Sequence, residues 1–396
     1  TTYQSGLTFS GLSAGTYSLT VKNNTSGCVS NPVSLTVIAY VAPQVSEGGC
    51  DSESLYDVIV SAYHQSVAQK SDGSWSAWGA LISSSGGSVL SPQDIDATNY
   101  PGLTGTPILA STASAGAGAS EQSVLLTTTG LFAWGVEGVT IPNAITSSAT
   151  FQKLTVNAKT DGLPTGVSPS DVVSLVAINK HLIIRTQAGF AYILNSNTSS
   201  ATTASSYGDG SSAVDNNWHQ VKISAGVNLS NIIALRGQVS STTKGGFMAL
   251  TYDGTTYKAY TWGMSVYKGD GSAATLYNYA TEMTLPANMT PKMIAITGGS
   301  STARNNSFFI LSNSGDLYAL GANDMKQLGD FTTTERLSWV NVKKTASLNL
   351  TNVKYISAQE HDAKFPACGA ITTVGDLYLW GQNGGNMLGT GPTADL

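Results

Sequence analysis

Two stretches near the end of the chain decide the fold: Gly315-Asp316-Leu317-Tyr318-Ala319-Leu320-Gly321 and Gly375-Asp376-Leu377-Tyr378-Leu379-Trp380-Gly381. Each begins with a glycine that can adopt the positive φ of a tight hairpin, and each continues as a short strand. Bulky residues stand two positions apart in both strands, so they share one face and can fill the space between two sheets. The first glycines are 60 residues apart, which predicts a structural repeat.

The same pattern recurs along most of the chain. Six turn glycines follow one another at intervals of 57, 59, 65, 61 and 60 residues, and each precedes a strand with a large side chain. The first copy departs from the pattern because Ser76 takes the place of the first bulky residue. The motif residues of the six copies are Gly73 and Trp78, Gly130 and Trp134, Gly189 and Tyr192, Gly254 and Trp262, Gly315 and Tyr318, and Gly375 and Trp380.

Each copy has room for more than one hairpin. An apolar strand runs into the turn glycine, as in Phe308-Phe309-Ile310-Leu311, and a further apolar strand precedes it, as in Met293-Ile294-Ala295-Ile296. Three or more short strands in a period of about 60 residues are typical of a four-stranded propeller blade. The sequence therefore predicts an all-β protein with a β-propeller over residues 55–396 that has six visible blades and room for a seventh.

The composition suits a β-rich protein and excludes some partners. Only 11% of the residues are charged, whereas 42 are Gly, and the net charge is −5. Phosphate binding needs clustered Lys and Arg, so nucleic acid is not expected as a partner. The longest apolar stretch, residues 33–41, is too short to cross a bilayer, so no membrane insertion is expected in this segment.

The first part of the chain has a different pattern. Residues 1–41 contain alternating apolar runs that predict half-buried strands of a β-sandwich module, and residues 42–54 are a Pro, Gly and Ser-rich linker. The chain begins without Met and stops within a repeat, which predicts a piece of a longer protein. The three cysteines allow two disulfide pairings: Cys28 with Cys50, or Cys28 with an upstream residue. Cys368 takes part in neither pairing.

The last two copies carry a longer signature. Gly321-Ala322-Asn323 leads to Gln327-Leu328-Gly329, and Gly381-Gln382-Asn383 leads to Met387-Leu388-Gly389. With the preceding hairpins, this pattern resembles the blade signature of the regulator-of-chromosome-condensation propeller family. The resemblance extends over residues 55–396, is weak in the third copy, and implies a ring of usually seven blades. Family members include exchange factors, ubiquitin-ligase modules, receptors and bacterial surface proteins, so the fold alone does not define the activity.

A second resemblance concerns the N-terminal module. Residues 9–17, Phe-Ser-Gly-Leu-Ser-Ala-Gly-Thr-Tyr, with the following Gly27-Cys28, resemble the C-terminal half of immunoglobulin-like repeats in giant bacterial surface adhesins. This resemblance implies that residues 1–41 are the end of such a repeat. It also implies a secreted protein of the gliding-bacterium type, exported through the type IX secretion machinery.

No catalytic set is recognised in the sequence. His64, His181 and His361 precede the hairpins of three different copies, where the propeller family often has a His that hydrogen-bonds to backbone, and His219 has no evident partner. The acidic residues stand in loops or linkers outside any nucleophile or phosphate-loop motif. The segments 207–210 and 268–271 suit simple turns better than calcium loops, because the full spacing of a calcium loop is missing. We therefore expect no enzyme, no cofactor and no metal.

Ligand contacts are expected on the rims of the propeller. Ser, Thr, Gly and Ala-rich insertions at residues 82–89, 111–120 and 196–212 vary from copy to copy, as binding loops do. Aromatic residues in or near such insertions either stack on sugars and anchor a protein partner, or pack under the loops. The candidate binding residues are Tyr207, Trp218, Tyr267 and Tyr277.

These patterns together predict a non-enzymatic segment of a large secreted cell-surface adhesin. The propeller would act as a binding head or rigid spacer on the outer surface of a bacterium, with gliding motility as one role. The expected partners are a surface polysaccharide or protein ligand and the secretion machinery. Two alternatives remain: an intracellular exchange factor or scaffold like the eukaryotic members of the propeller family, and a secreted glycan hydrolase.

Overall fold

The computed structural model describes most of the chain and divides it into two units. The described residues are 15–23, 25–37, 58–80, 82, 87–115, 121–136, 138–141, 148–196, 205–241, 244–298, 305–361, 365–386 and 388–390. The first unit comprises residues 1–49 and the second comprises residues 50–396. The predicted boundaries after residues 41 and 54 fall outside the described residues and stay predictions.

The described part of the first unit is one antiparallel strand pair. Strand β1 (Gly15–Leu19) pairs with β2 (Val33–Val37), and Tyr17 lies opposite Leu35. The pair agrees with two of the strands that the alternating pattern predicts, whereas an immunoglobulin-like module remains a prediction. Cys28 is exposed and carries a free thiol, and Cys50 lies outside the described residues.

The second unit consists of antiparallel sheets that follow one another along the chain. Blades 1 to 5 have four strands each, and blade 6 has three within the described residues. Blade 1 contains β3 (Ile59–Ser61), β4 (Gln65–Gln69), β5 (Trp75–Gly79) and β6 (Val89–Asp94). Blade 2 contains β7 (Pro107–Ser114), β8 (Glu121–Thr127), β9 (Gly130–Gly135) and β10 (Ser148–Lys153). Blade 3 contains β11 (Val172–Ile178), β12 (His181–Thr186), β13 (Ala191–Asn195) and β14 (Trp218–Gln220).

The later blades repeat this order and add two small hairpins. After blade 3 comes the hairpin of β15 (Lys222–Ser224) and β16 (Val227–Asn228). Blade 4 contains β17 (Ile232–Ser241), β18 (Lys244–Tyr252), β19 (Tyr257–Val266) and β20 (Thr275–Glu282). Blade 5 contains β21 (Pro291–Thr297), β22 (Ser307–Ser312), β23 (Leu317–Gly321) and β24 (Arg336–Asn341), followed by the hairpin of β25 (Lys343–Thr345) and β26 (Leu348–Asn349). Blade 6 contains β27 (Val353–Ala358), β28 (Ala367–Thr372) and β29 (Leu377–Gly381).

The described residues form strands and short 3₁₀ turns. The turns span Pro169–Asp171, Ser205–Tyr207 and Gly384–Asn386. No helix in the described part of the chain is long and apolar enough to cross a membrane.

The first strands of successive blades contact one another, which arranges the blades radially. Strand β7 contacts β3 and β11, β17 contacts β11 and β21, and β27 contacts β21. Within each four-stranded blade the strands lie in sequence order, so the first strand is innermost and the fourth is outermost. This arrangement confirms the predicted all-β propeller of six blades.

Hydrophobic cores hold neighbouring blades together. Phe132 and Trp134 of blade 2 pack against blade 1, where Trp75 and Tyr100 are buried with them. Corresponding cores join blades 2 and 3, 3 and 4, 4 and 5, and 5 and 6. Among the motif residues, Trp134, Trp262 and Trp380 are buried, whereas Trp78, Tyr192 and Tyr318 are half-buried.

A glycine ends the third strand of four blades and lies inside the third strand of blade 4, and backbone passes very close to each of these five glycines. A Cβ atom on Gly321 would lie 2.3 Å from the carbonyl oxygen of Asn306, and its φ is +114°. The hairpin glycine Gly375 has φ +94° but open space around the place of a Cβ atom. Both positions favour glycine for its backbone freedom, and Gly321 has the additional steric reason.

Replacing these two glycines by alanine separates the two effects. We expect Gly321→Ala to lower the free energy of unfolding by roughly 2–4 kcal/mol, because strain and a clash with backbone add together. We expect Gly375→Ala to cost only about 1–2 kcal/mol, the strain of left-handed backbone alone. Urea unfolding followed by tryptophan fluorescence measures both values; equal losses would contradict the close approach at Gly321.

Candidate functional site

The longest connections within the blades begin and end on one face of the propeller. This face, called the long-loop face below, is where the first strand of each blade joins the second and the third joins the fourth. It is reached by the sequence segments 80–88, 136–147, 196–217 and 322–335. The opposite face carries the short hairpins within the blades, such as 128–129 and 313–316, and the connections from one blade to the next, such as 95–106 and 154–171. Variable loops on a rigid scaffold are typical of a recognition surface, so this face is the candidate functional site.

The segment Gln359–His361, called the axial segment, holds four other blades together beneath this face. It directly follows β27 of blade 6. Its hydrogen-bond partners lie in blades 5, 4, 3 and 2, in the order in which its residues follow one another. The Gln359 carbonyl oxygen accepts a 2.8 Å bond from Thr297 Oγ1 of blade 5, and Glu360 Oε1 accepts a 3.1 Å bond from Arg236 Nη1 of blade 4.

The remaining contacts of the axial segment come from His361. Its Nδ1–H donates to the Ala177 carbonyl oxygen of blade 3 at 2.8 Å, and its own carbonyl oxygen accepts from the Ser114 N–H of blade 2 at 3.0 Å. Three consecutive residues thus connect the inner strands of four blades. The polar groups of these three residues form hydrogen bonds to other groups of the protein.

The Arg236–Glu360 ion pair is buried. The Arg236 side chain is 0% exposed and that of Glu360 is 9% exposed, and His361 Nε2 lies 3.5 Å from the same carboxylate. A buried charge is costly unless a partner compensates it. The pair therefore links blade 4 to blade 6 and makes each partner necessary for the other.

Two of the candidate binding aromatics are buried. The Tyr207 ring is 0% exposed, and it stacks on the His219 ring at a centroid distance of 3.8 Å. The Tyr267 ring is also 0% exposed, and its hydroxyl donates to the Glu335 carboxylate. Burial raises the pKa of both hydroxyls well above the usual range. Of the two roles considered for these residues, the burial favours packing under the loops.

The other two candidate aromatics are half-buried. The Trp218 indole N–H donates to the Gly162 carbonyl oxygen of the preceding blade at 2.8 Å, and Tyr277 packs against the cores on both sides of blade 4. The four candidates are spread over three interblade cores, and Tyr277 contacts both the core of Tyr207 and the core of Tyr267. Their role in ligand binding stays a prediction.

A tryptophan missed by the sequence interpretation has the same role as Trp218. Trp339 lies in the fourth strand of blade 5, and its indole N–H donates to the Thr284 carbonyl oxygen of blade 4 at 2.7 Å. The signal was present as a repeated pattern, Trp-His-Gln-Val-Lys at residues 218–222 and Trp-Val-Asn-Val-Lys at residues 339–343. Fourth-strand tryptophans thus tie a blade to its predecessor.

His219 is held between two carboxylates. Its Nδ1 lies 2.8 Å from Asp209 Oδ2 and its Nε2 lies 2.9 Å from Asp215 Oδ1, so both nitrogens donate when the ring is protonated. Burial lowers the pKa of His219, but the two carboxylates outweigh it and raise the pKa above the usual value. Burial likewise opposes ionisation of Asp209, but the His219 bond prevails and lowers the pKa of Asp209 to about 2. His219, Asp209 and Asp215 thus form an ionic cluster, called the His219 clamp below, that the sequence analysis did not predict.

The two segments considered as calcium loops connect neighbouring blades. Asp209 forms a β-bridge with Tyr279 of blade 4, and Asp270 forms one with Ser338 of blade 5. The Asp270 carboxylate accepts the Ser272 N–H and pairs with Lys268. Within the described residues, no group of three or more His, Cys, Asp or Glu side chains could hold a metal ion.

The remaining histidines lie apart in different blades. His181 is buried, and its ring bonds to the Asn179 carbonyl oxygen at 3.1 Å and to Ser206 Oγ at 2.8 Å. Burial lowers the pKa of His181 to about 4, so it is neutral at physiological pH. His64 Nδ1 lies 2.5 Å from Glu121 Oε1 of blade 2, a carboxylate contact where backbone bonding was expected. The His181 ring thus contacts the hydroxyl of Ser206, and both side chains are buried.

The blade architecture defines the chain as an RCC1-like β-propeller. Solved structures with this fold include human WBSCR16, with 17% identity and a TM-score of 0.57 over 85% of this chain and 79% of that one. Prp20p of Saccharomyces cerevisiae, which binds Gsp1p and histones, has 18% identity and a TM-score of 0.58 over 85% and 74%. Yeast RCC1 (Prp20) in complex with Kap60 has 17% identity and a TM-score of 0.54 over 85% and 72%. No protein-family model and no curated protein matches the sequence.

The His219 clamp predicts a stability contribution that depends on pH. Because the folded pKa is raised, the contribution is complete below the unfolded value of about 6.5 and is lost as the pH rises through the folded pKa. We expect the thermal midpoint of His219→Gln to lie below that of the original chain at about pH 5.5, with a smaller difference at about pH 8.5. Calorimetry at both pH values tests this; a difference that is equal or larger at high pH would contradict the clamp.

The buried ion pair predicts a large cost when one partner is removed. Glu360→Gln leaves the Arg236 charge inside the propeller without its carboxylate, and we expect a loss of about 3 kcal/mol or more in the free energy of unfolding. The matched control is Glu282→Gln, which breaks an exposed pair with Lys258 and should change stability little. Urea unfolding compares them; similar losses in both variants would show that the axial pair does not support the assembly.

Proposed function

We propose that this chain is a non-enzymatic recognition segment of a secreted bacterial cell-surface adhesin. In this proposal the propeller is a rigid head that binds a surface polysaccharide or protein through its long-loop face. The type IX secretion machinery would export the protein, and gliding motility is one setting for it. The N-terminal unit would belong to a stalk of immunoglobulin-like modules.

The distribution of loop lengths carries the proposal. The segment 196–217 has a Ser and Thr-rich beginning, and 80–88 and 115–120 are rich in Ser, Gly and Ala. These segments join strand ends on the long-loop face, whereas the hairpins within the blades on the opposite face are short glycine turns. Small polar residues supply adaptable hydrogen bonding in recognition loops, and rigid sheets beneath reduce the entropy lost on binding.

The polar chemistry of the described residues supports recognition over turnover. The His219 clamp, the Arg236–Glu360 pair and the His64–Glu121 contact all bond groups of the protein to one another. Such arrangements hold protein groups to one another, as a rigid scaffold requires. The similar protein Prp20p binds other proteins, which agrees with a macromolecular ligand.

Cell-binding measurements test this function directly. We expect the fluorescently labelled chain to bind to intact bacterial cells or to immobilised surface polysaccharides. Replacing residues 197–203 by a Gly-Ser linker should weaken this binding roughly tenfold or more, because contacts on the long-loop face are lost. The matched control carries Thr255→Ala and Thr256→Ala on the opposite face and should bind unchanged.

Three outcomes would overturn the proposal. Equal weakening by both variants would move the binding surface away from the long-loop face. An absence of binding to cells, polysaccharides and surface proteins would reduce the propeller to a spacer. Release of sugars from a glycan panel by the purified chain would instead establish a hydrolase.

A further inference from the structure

The loop of blade 3 that contains the His219 clamp has a structural counterpart in blade 5. Each of these loops, residues 208–222 and residues 329–343, is closed by one backbone hydrogen bond, in which the N–H of the last residue, a lysine, donates to the carbonyl oxygen of the first residue, a glycine. The two loops have equal length, and each has a tryptophan four positions before its end. Their residues can therefore be compared position by position.

The two loops neutralise a matching carboxylate in different ways. Asp330 of blade 5 is buried, and the Arg336 guanidinium pairs with it at 2.6 Å. In blade 3 the matching carboxylate is Asp209, but a second aspartate, Asp215, takes the place of the arginine. The cation of blade 3 is the His219 ring between these two carboxylates. Arginine keeps its charge at physiological pH, whereas histidine loses its charge near neutrality.

Loss of the His219 proton breaks one of the two bonds of the ring. A neutral imidazole donates from one nitrogen only, so it can serve a single carboxylate. Asp209 keeps this bond, because its side chain is only 8% exposed and Lys222 Nζ lies 3.9 Å away as a second cation. The Asp215 side chain is 48% exposed, so water can replace the bond that it loses.

Asp215 attaches residues 211–217 to the body of the propeller. Its carboxylate accepts from the Tyr207 hydroxyl at 3.3 Å, and its N–H donates to the same hydroxyl oxygen at 3.4 Å. Both distances are long, so the 2.9 Å bond to the charged His219 ring is the strongest of these contacts. Val214 adds a half-buried apolar contact with the core between blades 3 and 4. The segment is therefore weakly held once the His219 bond is lost.

The two ends of this segment are fixed by other bonds. Before it, the Gly210 N–H donates to the Asn278 carbonyl oxygen of blade 4. After it, the Trp218 indole N–H donates to the Gly162 carbonyl oxygen. Neither bond involves a titratable side chain, so residues 211–217 can move while both ends stay in place.

We propose that residues 211–217 form a proton-operated latch on the long-loop face, closed while His219 carries its proton and open when the ring is neutral. Burial disfavours the charged ring, but the two carboxylates outweigh burial and raise the pKa of His219 above its usual value of about 6.5. The latch therefore opens as the pH rises through this raised pKa. The inference does not depend on the function proposed above.

The groups that face the ring preserve this direction. Burial opposes ionisation of Asp209 and Asp215, but the bonds to His219 prevail and lower the pKa of both carboxyls, so they stay charged near neutral pH. Burial raises the pKa of the Tyr207 hydroxyl, so the ring stacked on His219 stays neutral. Two further ionisable side chains border Asp209: those of Lys222 and of Tyr279 in blade 4.

Hydrogen exchange of the intact 396-residue chain, followed by mass spectrometry, tests the latch. After correction for the intrinsic pH dependence of exchange, we expect the protection of residues 211–217 to fall severalfold or more between about pH 5.5 and pH 8.5. Residues 332–338, the matching segment of blade 5, are the control in the same sample. Their protection should stay constant, because Arg336 keeps its charge.

Two variants separate the latch from general loosening of the fold. Asp215→Arg combined with His219→Val copies the arrangement of blade 5 into blade 3 and should keep residues 211–217 protected at both pH values. His219→Gln should leave them weakly protected at both values, because glutamine, like neutral imidazole, carries no charge.

Several results would overturn the inference, whatever the outcome of the cell-binding measurements. One is a protection of residues 211–217 in the original chain that stays constant or increases with pH. Others are an equal loss of protection in residues 332–338, or a pH dependence that survives in His219→Gln. The comparison with residues 332–338 needs no substitution, so it stands even where a variant fails to fold.

Discussion

The assembly depends on the need of each sheet to bury two apolar faces. A four-stranded blade covers neither face by itself, and about 25 cal/mol is lost for each Å² of apolar surface left in water. The cores between blades meet this need, and the tryptophans Trp134, Trp262 and Trp380 supply much of the filling. In the radial arrangement each blade with two neighbours buries both of its faces against them.

The same need explains why blades 1 and 6 differ from the others. Leu377 of blade 6 is 61% exposed and Ile59 of blade 1 is 65% exposed. The residues at the corresponding positions of blade 5, Leu317 and Ile294, are buried. Trp78 is half-buried for the same reason, because its face of blade 1 has no described blade packed against it. The apolar exposure is concentrated where the interblade cores end.

The blades could be predicted from the sequence because the information is local. A turn glycine and a strand with bulky residues at i and i+2 lie within a few residues, and six regular copies reinforce one another. Binding roles were harder to predict, because Tyr207 and Tyr267 have the residue type of a ligand contact and are buried by neighbouring blades. For Trp218, comparison of residues 218–222 with 339–343 would have indicated the contact of its indole with a neighbouring connection, and its role in ligand binding stays a prediction.

The backbone bond of the His361 ring agrees with the expectation from the family resemblance, but the residues that pair at the centre of the propeller could not be predicted. His361 bonds to Ala177 across 184 positions of sequence, and Arg236 bonds to Glu360 across 124. Neither pairing leaves a periodic signal, since each occurs once. The clamp around His219 is also unrepeated, because Val340 occupies the matching position two blades later.

The late position of the axial segment has a consequence for how the protein is made. Blades 1 to 5 are synthesised before residues 359–361 exist, so the growing chain carries inner strands whose central bonding partners have yet to be made. Nascent sheets must stay apart from other chains during this interval. A prematurely terminated product that ends at blade 5 would keep the blades and lose the residues that join them at the centre.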